Sequence, residues 1–600
     1  MDKLLPHYER ELTLLRQSIE TFAARYPRIA ARLSISGDHS ADPHVQRLLQ
    51  SFALLAAKID SRLDDYYPEF AQALLATAYP QYSRPFPACT TAQFDVSAVF
   101  EKLAGPVIVR RGTELASMVE RFRFRTVYDT TLVPVIISGA RYARTITAPT
   151  GVALPAGVSG LLSITFTATG PDFQLKDMPG PLRIHVSGPN EIVSAAMDAM
   201  VLSSPAAFVE NAAKRWTMAN RTPLTAVGYD DAERLIDEDD SQLAMRLLSE
   251  YFAYPKKFDF VEVDLAALAK TSGCERQLTL HLAVQGVHPE SLAAERLVKL
   301  SAAHLKLFCT PVVNLFRQNE HLLKRNPRTD DYPVIFGNTD PAGTEVWSID
   351  AVRCATGANK VSTLQPFTSL MHGSAAKFAG PYWILMQRQT AEETKDSALG
   401  LVGLDGQQDT QYAAIPNVTA DVTCTNGELA QTMRRGDERG DLEHEKGTAG
   451  IRVLALHAPT EVRRMSCDGD GPWRLVAQLA PHSIELTYEG LTELKRVLMQ
   501  FASAEQARPT DGLRYLKHRA KLLWLPGKPM PSVVRGLEVT LTVDEKAFSA
   551  TSLCGLMGIL ERFFAGYVSE LGFVQMVVVS ANTGVEIRRY APRPGTMALL

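Results

Sequence analysis

Six hundred residues, 46% hydrophobic and 22% charged, describe an ordinary globular chain whose length accommodates roughly three or four domains. With 63 Lys and Arg against 66 Asp and Glu, the formal charge of -3 supplies no general attraction to nucleic acid or anionic lipid, so the expected partners are proteins. The seven scattered cysteines form no Cys-x-x-Cys pair and fit reduced thiols in the cytoplasm; no secretory signal is visible at the start of the chain.

The first helix carries Tyr8, Leu12, Leu15, Ile19, Phe22 and Tyr26 at alternating spacings of four and three. This is the 3.5-residue period of a seam between paired helices. The partner is either another local helix, in which case the stripe is domain core, or a helix of a neighbouring protein. Asp42-Pro43 then supplies an N-cap and a first-turn proline for a second helix bearing Val45, Leu48, Leu49, Phe52, Leu55, Ile59 and Leu63. Pro68 opens a short third helix with Phe70, Leu74, Leu75 and Ala78, which Pro80 stops. Pro80, Pro85 and Pro87 predict an extended exit, and a boundary is placed at residue 87.

Residues 88–240 are expected to form a β-rich domain. Within it, Arg121-Phe-Arg-Phe-Arg125 has a period of two, which puts phenylalanines on one strand face and solvated arginines on the other. Residues 145–171 lack charge, but Pro149, Gly151, Pro155, Gly157, Gly160 and Gly170 exclude a membrane helix and predict strands and turns. A helix is expected near 190–200. Residues 241–310 form a mixed α/β connecting region, with a capped helix through Leu243, Leu247 and Tyr251 that Pro255 ends, and strands around 258–263 and 278–284. The acidic run at 237–240 lacks the offsets of a calcium loop and is assigned to a solvated helix start.

Residues 311–480 predict a second β-rich domain containing a charged, glycine-interrupted mobile loop at 433–450. In the last segment, 481–600, Leu537, Val539, Leu541 and Val543 alternate with polar residues, and Leu553, Leu556, Leu560, Phe563, Tyr567 and Leu571 take helical spacing. Strands at 573–579 and 585–588 complete a β-α-β-β unit, and a helix at 491–501 with a strand at 474–479 can join the same sheet. The predicted fold class is therefore α+β multidomain: an N-terminal helical bundle (1–87), β-rich middle domains and a C-terminal α/β unit.

No phosphate-binding loop, Gly-x-Ser-x-Gly elbow or His-Glu-x-x-His helix occurs in the sequence. Gly400-Leu-Val-Gly403-Leu-Asp-Gly406 lacks the strand and following helix of a phosphate site and predicts a surface turn. Cys467-Asp-Gly-Asp-Gly471 stops short of a calcium loop and predicts a hairpin turn, and Glu443-His444-Glu445 falls in the charged loop. The expectation is no catalytic, cofactor-binding or metal-binding residue. The alternative is a hydrolase that gathers His457, Asp468 and His482 from distant loops.

The blocks Glu11-Leu-x-x-Leu-Arg16, Phe22-Ala-x-x-Tyr26-Pro27-x-Ile-Ala30, Asp42-Pro43-x-Val-x-Arg-Leu-Leu49 and Phe52-Ala-x-Leu-Ala56 resemble the TssF family (also called VasA or ImpG) of type VI secretion baseplate proteins. So do Arg111-Gly-Thr113, Leu248-Ser-Glu-Tyr-Phe252, Cys309-Thr-Pro-Val-Val-Asn-Leu-Phe316, Cys424-Thr-Asn-Gly427, Arg535-Gly536 and Phe563-Phe-Ala-x-Tyr567, in family order along nearly the whole chain. Gln46 and Glu570-Leu-Gly-Phe573 depart from the family pattern.

The resemblance implies a non-enzymatic, cytoplasmic wedge component of a phage-tail-like contractile injection machine. In such a wedge two TssF copies join one TssG around a VgrG spike hub. TssK links the assembly to the inner-membrane-docked apparatus and TssE couples it to the sheath. No nucleic acid and no direct membrane insertion are implied. The residues expected at the partner interface are Tyr8, Leu12, Leu15, Ile19 and Phe22.

Overall fold

The computed structural model describes residues 4–596 except 37–38, 41, 65–73, 76, 78–79, 98–104, 147, 150, 171, 220–222, 238–242, 327–330, 335–342, 356–360, 368–380, 390–394, 404–414, 416, 445–450, 465–472, 474–487, 503–507 and 526–531. Strands outnumber helices among the described residues. The chain divides into two compact units, one of residues 1–83 with 368–373 and 465–480, the other holding the remainder.

In the first unit α1 (Leu4–Arg25) runs along α3 (Pro43–Asp64), with the short α2 (Pro27–Arg32) between them in sequence. Asp42 acts as the cap that its position predicts: its side chain accepts from the His44 amide at 2.8 Å. Pro80 begins a short helix, Pro80–Ser83, since a proline's missing N–H is harmless in a first turn; residues 78–79, where the preceding helix is expected to stop, lie outside the described residues. The predicted helix at 68–78 and the strand at 474–479 lie largely or wholly outside the described residues.

The second unit centres on a closed barrel of Cys89–Asp95, Glu114–Ser117, Arg123–Thr126, Cys309–Val313, Leu442–His444 and Arg452–Ala455. Segments assigned by sequence to three different regions thus share one barrel. Closure narrows the solvated side expected for the arginine-phenylalanine run: Arg121 is exposed and Arg123 half-buried, but Arg125 is enclosed. Phe122 and Phe124 are buried, Arg125 is buried as well and pairs with Asp237, and Arg123 pairs with Glu114 at 2.5 Å. The expected loop at 433–450 is ordered through residue 444. Asp441, itself buried, accepts from the Gly436 and Ala455 amides and turns a charged stretch into a barrel strand; 445–450 fall outside the described residues.

A five-stranded sheet, built around Val158–Ala168 and Gln277–Gln285, and a four-stranded sheet, built around Leu182–Val186 and Phe260–Val263, share a core with the barrel and the helix Asn190–Val201. Leu162, Ile164, Phe166, Ile184, Val261, Ala196 and Met200 fill it. A further sheet contains Phe316–Lys324, Glu345–Ala355, Tyr382–Gln389, Lys395–Val402 and Asn417–Thr425. Gly400 lies inside one of those strands, paired with Ile384, rather than in a surface turn.

At the C-terminal end Ser532–Val543 pairs in parallel with Phe573–Ser580 across the helix Leu553–Ala565, the crossover that parallel neighbours require. On its other side Ser532–Val543 pairs antiparallel with Leu513–Leu525, which becomes the outer strand of the sheet. Gly536 sits where a Cβ would collide with the Phe573 carbonyl, so this crossing of strands requires glycine.

Candidate interaction surfaces and buried polar network

Helix α3 presents two apolar faces. Ala53 and Ala57 are fully buried and Val45 and Leu49 half-buried, as suits a face against α1, whereas Leu48, Phe52 and Leu55 remain 72%, 60% and 56% exposed. The spacing of four and three among these last residues keeps them in one stripe, so three large apolar side chains stand together in water. On α1, each of Tyr8, Leu12, Leu15, Ile19 and Phe22 is half-buried, and the ring of Phe22 lies 5.4 Å from that of Tyr26. α1 and α3 lie alongside one another, and buried alanines such as Ala53 and Ala57 are residues small enough to let a neighbouring helix approach closely. The outward stripe of α3 was present in the sequence as an apolar arc wider than one partner helix can cover.

The second unit holds a dense buried polar cluster. Glu250, on the helix Leu243–Ala253, pairs with Lys257 of the turn Pro255–Phe258, and it also accepts from the Leu235 amide at 2.8 Å. Burial draws the Lys257 ammonium below its usual range while Glu250 opposes that shift. Nearby, the Tyr254 hydroxyl bridges Thr91 and His457 at 2.5 and 2.9 Å. His457 is pushed down to about 4, chiefly by burial and then by the neighbouring Lys256 charge, so it is a neutral hydrogen-bonding group at physiological pH. Its two proposed hydrolytic companions, Asp468 and His482, lie outside the described residues. Among the described residues no cluster of three or more His, Cys, Asp or Glu could hold a metal ion, and no helix is long and apolar enough to cross a membrane.

Asp198 fastens the helix Asn190–Val201 to the helix Leu553–Ala565. It accepts from the Cys554 amide at 2.8 Å and the Ser552 hydroxyl at 3.0 Å, as an N-cap supplied from a distant part of the chain. Burial raises its carboxyl from 3.8 to about 6, outweighing these hydrogen bonds, which favour the ionised form. Since the folded state holds the proton more tightly than the unfolded chain, the contribution to stability is complete below pH 3.8 and is lost as pH rises through about 6. Asp198→Asn keeps an acceptor without the charge. Its thermal midpoint relative to the parent is therefore expected to be higher at pH 8 than at pH 4.5; an equal difference at both would contradict the linkage.

A family model described as "Type VI secretion system, TssF" matches residues 1–597. The type VI secretion system component TssF1 of Pseudomonas aeruginosa (strain PAO1) is 29% identical, with 99% of each chain covered. Among solved structures, one chain of a TssK-TssF-TssG baseplate subcomplex has a TM-score of 0.68 at 19% identity, covering 92% of this chain and 99% of that one. A chain of a type VI secretion baseplate complex has a TM-score of 0.56 at 19% identity, covering 99% of this chain and 100% of that one. The fold is thus one found in type VI secretion baseplate complexes. The chain belongs to the TssF family of the type VI secretion system.

Proposed function

We propose that this chain is a structural component of a type VI secretion baseplate wedge, in which two copies join one TssG. TssK, TssE and the VgrG hub are its further neighbours, and the assembly is cytoplasmic and recruited to the inner-membrane-docked apparatus. It acts by contact rather than by catalysis. The observation that carries this reading is the family match along nearly the whole chain. The outward stripe of Leu48, Phe52 and Leu55 supports it, because a helical hairpin with an uncovered apolar face is suited to complete a bundle with partner helices. In this arrangement Tyr8, Leu12, Leu15, Ile19 and Phe22 hold the hairpin's shape and contribute its rim to the shared bundle.

The test is co-expression with a TssG and measurement of the complex by native mass spectrometry. A particle of two chains to one TssG is expected. A chain that stays monomeric beside TssG, or a complex with equal numbers of each, would overturn the proposed wedge.

A further inference from the structure

From Leu513 to Arg535 the sequence contains six Lys and Arg, namely Arg514, Lys517, Arg519, Lys521, Lys528 and Arg535, and no Asp or Glu, within a chain whose formal net charge is -3. The described parts of this stretch lie in the two antiparallel strands Leu513–Leu525 and Ser532–Val543 at the outer side of the C-terminal sheet. The first strand, Leu513–Leu525, has Ser532–Val543 as its one strand partner, and no second strand pairs along its other edge among the described residues. Lys517 to Ala520, Leu522 and Trp524 are exposed.

This strand pair also outruns its sheet. Phe573 lies opposite Gly536, and beyond it toward Ser532 no third strand is present among the described residues. Opposed residues share a face, so Leu516, Leu541 and Val539, all fully buried, belong to the same face as Leu522, Trp524 and Val533. The core face therefore continues past the core, where Leu522, Trp524 and Val533 are 67%, 71% and 52% exposed. On the opposite face Glu538 is shared by Arg519 at 2.5 Å, Lys521 at 2.7 Å and Arg589 at 2.8 Å. Arg589 also pairs with Glu586 at 2.6 Å, so two carboxylates serve three cations, and with exposed Lys517 at the same strand parity that face stays positive.

We propose that the outer edge of Leu513–Leu525 receives an extended acidic segment of a partner protein as an added β-strand. The backbone edge supplies register, the cations select glutamate and aspartate, and Leu522 and Trp524 take an apolar residue. A second copy of the same edge is disfavoured, because it would bring two basic strands together. Nucleic acid and lipid would meet the charge but leave the row of backbone donors and acceptors unused.

The experiment uses the full-length chain alone, so its outcome does not depend on wedge assembly, and failure here is separable from failure of the TssG complex. The probe is an eight-residue peptide alternating glutamate with valine, fluorescently labelled. Its binding is measured by anisotropy and its footprint by hydrogen exchange. Saturable binding with new amide protection over 517–524 is expected, lost when alternate peptide amides are N-methylated. Lys517→Glu is expected to weaken it about fivefold and Trp524→Ser about tenfold or more. No binding, binding that survives N-methylation, or a stronger preference for phosphatidylglycerol vesicles or single-stranded DNA would overturn the proposal. The N-methylated arm needs no protein variant and stands even if one of them folds poorly.

Discussion

Glu250→Leu is expected to lower the stability of the larger unit by about 3–5 kcal/mol, the cost of leaving a buried charge without its partner. The Lys257 side chain is fully enclosed and that of Glu250 is 1% exposed, so neither can turn outward to water when the other is removed. The loss does not stop at the ion pair. Glu250 also holds the Leu235 amide, which would keep no acceptor from this side chain, and the Lys257 carbonyl receives the Tyr128 hydroxyl at 3.1 Å, so movement of the turn would disturb the aromatic core beside it. The Lys257 ammonium lies 5.1 Å from the centre of the Phe258 ring, a contact too weak to replace a carboxylate. In the double variant Glu250→Leu with Lys257→Met, neither charge of the pair is left without its partner, and most of the lost stability should return. Chemical denaturation of parent, single and double variants provides the measurement, compared by transition midpoints because a chain of several modules need not unfold in one step. A single variant within about 1 kcal/mol of the parent would show that water reaches Lys257 in solution.

Elements with a sustained period and one buried face were legible in the sequence. Helix Leu553–Ala565 and strand Gln277–Gln285 arise where their apolar spacing predicts them, although the helix ends at Gly566, before Tyr567 and Leu571, which the spacing includes. Strand Leu513–Leu525 was not read at all. Lys517-His518-Arg519 puts polar groups on both faces and Leu522-Leu523-Trp524 puts apolar groups on both, and an outer strand that overhangs its core has no single face to impose alternation.

The barrel was invisible for a different reason. It closes by pairing Cys309–Val313 with Cys89–Asp95 and Arg452–Ala455 with the same strand, contacts separated by hundreds of positions. Nor could local composition show that Asp441 would be buried and satisfied by the Gly436 and Ala455 amides, which is what orders a stretch otherwise rich in charge. At the candidate interface, periodicity located the stripe on α1, yet periodicity cannot distinguish a helix of the same chain from a helix of another. That distinction lies in residue size: alanines at 53 and 57 mark the close-packed side of α3, and the bulky Leu48, Phe52 and Leu55 mark the side left open.

This contrast between small and bulky faces gives opposite expectations for two pairs of substitutions on one hairpin. Leu48→Asp with Phe52→Asp places charges at positions already in water, so helix content and the unfolding midpoint of the free chain should change little, by less than about 1 kcal/mol. If the stripe seats a TssG helix, the same pair buries two unpaired carboxylates in the complex, and recovery of TssG with the chain should fall at least a hundredfold, about 3 kcal/mol or more. Leu15→Asp with Ile19→Asp acts one step earlier. These half-buried side chains belong to the seam along which α1 meets α3, and charging them should separate the hairpin itself, lowering helical circular dichroism before any partner is added, and abolish TssG recovery as a consequence. The C-terminal sheet, which belongs to the other compact unit, should stay folded. Co-purification unchanged in the first pair would place the TssG contact elsewhere on the chain. A hairpin that keeps its helicity in the second pair, yet loses TssG, would make the α1 stripe itself the face that meets the partner.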